Sequence, residues 1–481
     1  MGTVRTVPAD RPSGASRIRA AVHSERFPHI LLSAVLFTAY ATLSIARYTR
    51  FGSMSWDLAI FEQVTRSYAH LQSPIAPIKG PDFNILGDHF SPVLVLLAPL
   101  YRLFPSPVTL LVVQAVLFAV SAAVVSDTAA RFLGRIRGLL TGAAYGLSWG
   151  IQRAVDFDFH EIAFAVPLLA VILRNLLLER WRHVVCWCVP LVLVKEDLGL
   201  TVAAVGICLL LARRRAQGIG LMVFGTAATA TVLLVIIPMF NPGSGYDYWE
   251  KVAGAGSDSP GWPGGLLEGI GTKGETLLWI VGVTAFLALR SPLVLVALPT
   301  LGWRFLSHEP NYWSTDWHYS AVLMPIMFMA LIDAVRSAPR SSRVWVRRYA
   351  RNAVPAVAAI SATLCLQLPL RDLTQPETYD GGPRASAARV AVSRIPDGAT
   401  VEANTGLMTH LTGRTTVYWV GNTGALTPQY IALDLASGWS APLTDPAGYV
   451  RQLHPDARYD LVFHHQQYAV LALRGAAGQD P

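Results

Sequence analysis

The chain has 481 residues, 52% of them hydrophobic and only 15% charged, with a mean hydropathy of +0.40. That composition excludes an ordinary soluble enzyme of this length and reads as a polytopic membrane protein. The formal charge of +8 is also what arginine-rich cytoplasmic loops produce, so no nucleic-acid partner is expected from it.

In chain order, a tail carrying Arg5, Arg11, Arg17, Arg19 and Arg26 precedes an apolar run from His29 to Ala46 with no obvious cleavage site after it, which reads as a signal anchor. Further apolar runs at about 108–126, 138–152, 162–178, 184–194, 197–212, 219–239, 276–289, 291–303, 319–335 and 352–370 bring the expected count to roughly eleven spans. Cys186, Cys188, Cys208 and Cys365 all sit inside such runs, which supports neither a disulfide framework nor a zinc ribbon. Lysine occurs only at 79, 195, 251 and 273 among many arginines, a bias that points to a GC-rich bacterial genome.

The stretch 91–104 (SPVLVLLAPLYRLF) is left out of the count because it is short and punctuated by prolines. With it excluded, Arg131/Arg135/Arg137, Arg180/Arg182, Arg213 to Arg215, Arg290 and Arg336 to Arg351 all fall on the side of the N-terminal tail. The positive-inside rule then predicts a bacterial plasma-membrane protein with a cytoplasmic tail at 1–27, a transmembrane domain at 28–370 and a first extracytoplasmic loop at 47–107. Residues 91–104 become an interfacial helix. A C-terminal extracytoplasmic domain occupies 371–481, where Pro/Gly-rich joins separate strands expected at Thr415–Val420, Tyr430–Leu433, Tyr459–Phe463 and Tyr468–Leu473 from helices near 383–394 and 446–453, a small α/β unit.

This topology puts five polar segments on the outer side: SWDLAIFEQ (55–63), GDHFSP (87–92), DFDFHE (156–161), KED (195–197) and DWHYS (316–320). The run 184–194 supplies only about 11 residues, roughly 16 Å of helix against a hydrocarbon core of about 30 Å. The turn at Lys195-Glu196-Asp197 is therefore expected to lie recessed, in an outward-opening polar cavity.

Within these segments Asp57 is either a base for an acceptor hydroxyl or a first-turn helix acid, and Glu62 is expected on an exposed helix face. Asp88-His89 is either substrate-binding or a capping turn. Asp156, Asp158, His160 and Glu161 alternate so that an extended loop would aim them together at a divalent cation (Mg, Mn or Ca) or at sugar hydroxyls, whereas a helix would align Asp156 with His160. Lys195 either pairs with Glu196 and Asp197 or holds a phosphate, aided by Arg153 or Arg304. His318-Tyr319 is either a substrate contact or an interfacial anchor.

The order of DL-IF-Q, GDHFSP, PLYRLFPSP, DFHE, KEDLGL and HYSAVLMP across about 50–370 resembles the membrane proteins of domain of unknown function 2079. More distantly, the layout is similar to the C-type (GT-C) glycosyltransferases, with an acidic residue in the first external loop, interfacial helices and an arginine-rich turn at Ala129–Arg135. That resemblance implies a GT-C-like helical fold, a polyprenyl-phosphate sugar donor, and Asp57 as base or acceptor-orienting acid. The expected function is therefore sugar transfer to an envelope glycan, lipid or protein hydroxyl, the membrane lipid being a partner. A transporter or lipid flippase is the rival, since intramembrane charge also marks solute paths; an inactive scaffold would leave the buried charges unexplained.

Overall fold

The computed structural model describes residues 25–53, 55–243, 246, 248, 251 and 267–475. The basic tail through Arg19 lies outside them. Among the described residues, four segments are long and apolar enough to cross a membrane: Phe27–Thr49, Pro107–Leu133, Arg215–Phe240 and His318–Arg340. The remaining expected spans are shorter or broken. The run expected at 138–152 divides into helices Arg135–Gly146 and Trp149–Asp156, and the run at 276–289 into helix Ile270–Gly282 and a 3-10 turn at Leu287–Arg290. About eleven crossings is thus not a count that helix length reproduces.

Local sequence sets the helix ends. Ser106 accepts a hydrogen bond from Val108 N and Pro107 occupies the first turn, starting the 27-residue Pro107–Leu133 helix. Gly134, at φ +92°, ends it and lets Arg135–Gly146 fold straight back. The returning helix packs closely because Gly142 has no side chain: a Cβ there would lie 2.4 Å from Ser126 Cβ.

Arginines from several separate segments gather at one end of the bundle. Asp127 pairs with Arg174 at 2.6 Å and Arg131 at 3.1 Å; Arg336 donates to Leu177 O and pairs with Asp333; Arg214 lies over Trp181. Pro92–Leu103 and Pro292–Leu306 share one local design, a proline-led 3-10 turn running into an α-helix. They go to different places. Pro292–Leu306 runs from the arginine-rich end, where Ser291 bonds Asp333, to the opposite end, where Trp303 Nε1 donates to Asp197. Pro92–Leu103 keeps to that opposite end, with Val93 N donating to Leu193 O and Tyr101 Oη to Glu62.

At the same end sits a five-stranded sheet, β1 (Thr400–Ala403), β2 (Thr416–Trp419), β3 (Tyr430–Asp434), β4 (Tyr459–His465) and β5 (Tyr468–Leu473), in the order β2-β1-β3-β5-β4. The first three strands are parallel and the last two pair antiparallel. β1 was not anticipated, its four residues being too few for a visible alternation. The sheet shares an apolar core with helix Trp56–Ala69: Leu58 and Phe61 pack in one cluster with Val401, Leu407, Val417 and Val470. Gln63 Nε2 donates to Val417 O at 2.9 Å and Arg66 to Thr412 O at 2.6 Å. Glu62 lies in this junction, fully buried and bonded by Tyr101. The exposed position expected for it is overturned, because the C-terminal unit covers that face of the helix.

Candidate functional site

The five polar segments converge. Ser55 caps helix Trp56–Ala69 by accepting from Asp57 N at 3.0 Å, so Asp57 is not the cap and its carboxylate is free to face the bundle. Asp57 Oδ2 lies 3.9 Å from His160 Nε2. His160 Nδ1 lies 2.7 Å from Glu161 Oε2, and Glu161 Oε1 lies 3.4 Å from Lys195 Nζ. The His318 ring stacks on His160 with centroids 3.7 Å apart. From Glu196 the chain of contacts continues to His89 Nδ1 at 3.0 Å, with Tyr248 Oη 2.8 Å from His89 Nε2 and Tyr246 Oη donating to Glu196 at 3.2 Å. Tyr319 packs edge-on against Trp303 and Tyr312 beside this group.

Glu161 is wholly buried, and neither of its oxygens makes an aligned hydrogen bond among the described residues. Its neighbours Lys195 and His160 supply the compensating charge and dipole. Lys195 therefore pairs with Glu161, two helices away in sequence, rather than closing on its neighbours Glu196 and Asp197. The cluster reaches the surface at Asp57, whose side chain is 29% exposed. Loss of water around Asp57 raises its carboxyl above the ordinary value, against the opposing pull of His160. Burial alone would depress His89, but Glu196 and Asp88 outweigh it and hold the imidazole above its usual range. Asp88 is held below the usual carboxylate range: burial opposes this, and His89 and Lys79 prevail, the latter 3.1 Å away.

Other expected site residues are placed elsewhere. Asp156 pairs with Arg47 and Asp158 accepts from Ser53 Oγ at 3.1 Å, so the quartet Asp156, Asp158, His160 and Glu161 does not surround one point. The backbone explains this. Helix Trp149–Asp156 ends at Asp156 and Asp158 takes φ +76°, so the segment is neither the extended loop nor the helix that would align the side chains. Arg304 is fully buried and donates to Tyr312 O, Ser314 O and Ser320 Oγ, holding the loop before His318 instead of offering its guanidinium to a ligand. Arg153 faces Asp316 at 3.3 Å, and Asp197 accepts from Trp303.

Several participants were not singled out in the sequence. Lys79, Tyr246, Tyr248 and Lys251 come from stretches whose letters look like ordinary connectors; Lys251 Nζ donates to Tyr312 Oη at 3.3 Å. Gln114 had a readable signal, a buried amide inside an apolar 27-residue helix. Two cavities, of about 770 Å³ beside His410 and Arg414 and about 610 Å³ beside His29 and Asp127, lie away from the cluster.

Fold and site together define a polytopic membrane protein with a carboxylate, imidazole and ammonium cluster buried at one end of its helices. The chain belongs to the family described as predicted membrane protein DUF2079, which it matches over residues 47–468. The crystal structure of ArnT from Cupriavidus metallidurans bound to undecaprenyl phosphate is similar with a TM-score of 0.55 and 14% identity, over 93% of this chain and 99% of that one. The apo structure of the same protein gives 0.46 and 12% over the same shares. At such identity the first likeness shows a common fold. No curated protein matches the sequence.

Proposed function

We propose that the protein transfers a sugar from a polyprenyl-phosphate donor to a hydroxyl of an envelope glycan, lipid or protein, at the extracytoplasmic face of the plasma membrane. The observation that carries this reading is the convergence of five separate polar segments on a partly exposed carboxylate, Asp57, backed by a buried Lys195. In the reaction the acceptor oxygen bonds to the anomeric carbon as the bond from that carbon to the phosphate oxygen breaks. The phosphate leaves with the bonding electrons, and Asp57 takes the acceptor's proton. A carboxyl whose affinity for protons is raised by burial suits that task. Lys195 and His89, fixed by Glu161 and Glu196, are assigned to stabilise the departing phosphate. The GT-C fold, shared with a protein crystallised with undecaprenyl phosphate, supports a lipid-phosphate donor. The arginine-rich opposite end supports a cytoplasmic assignment for that side, and the C-terminal sheet docked beside Asp57 is assigned to acceptor contact.

Native mass spectrometry of the full chain against a panel of polyprenyl-phosphate sugars tests this first. Selective binding of one donor, weakened in Lys195→Ala, is expected; turnover of that donor should then fall by at least about a hundredfold in Asp57→Asn. Full turnover in Asp57→Asn overturns the role of Asp57. Absence of donor binding, with uptake of an unmodified solute into proteoliposomes, replaces the transferase by a transporter.

A further inference from the structure

We infer that Asp57, His160 and His318 form a binding site for a zinc-class divalent cation, an assignment that rests on the proposed site and names its cofactor. One ligand atom from each residue lies within 4.8 Å of the other two. The 3.9 Å between Asp57 Oδ2 and His160 Nε2 is too long for a hydrogen bond and exceeds by about half an ångström the roughly 3.3 Å spanned by two tetrahedral metal–ligand bonds of about 2.0–2.1 Å, so a small inward shift would close the pair on an ion.

Two independent features point to an ion. His318 is only 2% exposed, and neither of its ring nitrogens has a hydrogen-bond partner among the described residues. Buried imidazoles are ordinarily satisfied, so an unpartnered one aimed at a carboxylate and a second imidazole marks a missing partner. His160 is also already oriented for ligation. Glu161 lies 2.7 Å from its Nδ1, closer than Ile162 N at 3.4 Å on the same nitrogen. With Nδ1 engaged by these two groups, Nε2 is the ring nitrogen that faces Asp57, and a carboxylate beside the other nitrogen is the arrangement that tunes metal ligands. Lys195 in turn balances Glu161. The two rings are stacked at 24° with centroids 3.7 Å apart, which sets a nitrogen of each on the same side of the cluster as Asp57.

Two nitrogens and one oxygen select a borderline first-row ion over calcium or magnesium, which take oxygen sets. This also moves the site away from the aspartates of DFDFHE: Asp156 and Asp158 are spent on Arg47 and Ser53. Three protein ligands leave a coordination position open beside the exposed edge of Asp57, as in catalytic rather than structural zinc sites.

The test uses the detergent-purified full chain, stripped and reconstituted with Zn²⁺, with zinc counted by inductively coupled plasma mass spectrometry. About one zinc per chain is expected, lost in His318→Ala and weakened about ten- to a hundredfold in Glu161→Gln, but retained in Asp156→Asn. Reconstitution with Co²⁺ gives a readout that needs no variant: visible d–d absorption of a nitrogen–oxygen site is expected. Failure of the monodisperse wild-type protein to take up Zn²⁺ or Co²⁺, or undiminished zinc affinity in His318→Ala, overturns the site. Since no sugar donor is present, these outcomes are independent of sugar transfer. Transfer without metal uptake would leave the proposed reaction standing and remove only the ion.

Discussion

Gln114 clamps the loop that carries His160. Its Oε1 accepts from His160 N at 3.1 Å while its Nε2 donates to Asp158 O at 2.7 Å and Ala154 O at 3.2 Å. One buried amide thus satisfies three main-chain groups of a segment that leaves a helix through a left-handed residue. Gln114→Leu removes the clamp and should lower turnover by about tenfold or more, since misplacing a reacting group by about an ångström costs on that order or beyond. Gln114→Glu keeps the acceptor for His160 N but not the donor and should fall between. Paired measurements of kcat and melting temperature separate positioning from general destabilisation: the loss of kcat should exceed that of a core variant with the same change in Tm.

Arg304 offers a second check. Its removal leaves Tyr312 O, Ser314 O and Ser320 Oγ buried without their donor. Each orphaned group costs about 1–3 kcal/mol, so Arg304→Met should destabilise by roughly 3 kcal/mol or more and shift the thermal unfolding of the detergent-solubilised protein. Arg304→Lys, which lacks the planar fork, should recover only part of it. A neutral Arg304→Met would show that the loop before His318 is held by other contacts.

The His89–Glu196 pair has a pH signature. Since His89 is held above its ordinary value, mainly by Glu196 against the cost of burial, its protonated form is favoured in the folded chain. The resulting stability is fully present below the unfolded value of about 6.5 and disappears as pH rises through the folded value. His89→Gln should therefore be less stable than wild type by about 1.5 kcal/mol at pH 6, and the gap should narrow at alkaline pH. A gap that is constant with pH would mean that His89 contributes packing alone.

The C-terminal sheet depends on helix Trp56–Ala69 for its place. Arg66 donates to both Thr412 O and Thr415 O, at 2.6 and 3.0 Å. Arg66→Ala should loosen this contact by about 1–3 kcal/mol and speed proteolysis near the Gly381-Gly382 join, with little effect on cleavage of the loop at Arg213–Arg215. Equal acceleration at both sites would indicate global unfolding rather than release of the sheet.

Much of the organisation was readable along the chain. Hydropathy marked a polytopic membrane protein, and the arginine clusters marked one end of the bundle. Pro190 and the shortness of the run before it located the turn at Lys195. Strand Tyr468–Leu473 follows from a short continuous apolar run and helix Pro446–Leu453 from a proline at its start. These are properties of short windows, set by side-chain type and spacing, and they persist whatever the rest of the chain does.

The tertiary structure decided partners and depth. Pro92–Leu103 and Pro292–Leu306 have nearly the same local recipe, yet one stays at the polar end and the other traverses the bundle, because their neighbours differ. Asp156 and His160 are four residues apart and end in separate networks, whereas Asp57, His160 and His318 meet from far apart in the sequence. Charge supplies the physical reason. A carboxylate removed from water takes whatever cation or donor the packed helices bring within a few ångströms, and spacing along the chain does not determine which group that is. The sequence by itself therefore determined the membrane class, the segregation of arginine and the five polar segments. Only the fold joined those segments into one cluster and assigned Asp156 to Arg47, Lys195 to Glu161 and His89 to Glu196.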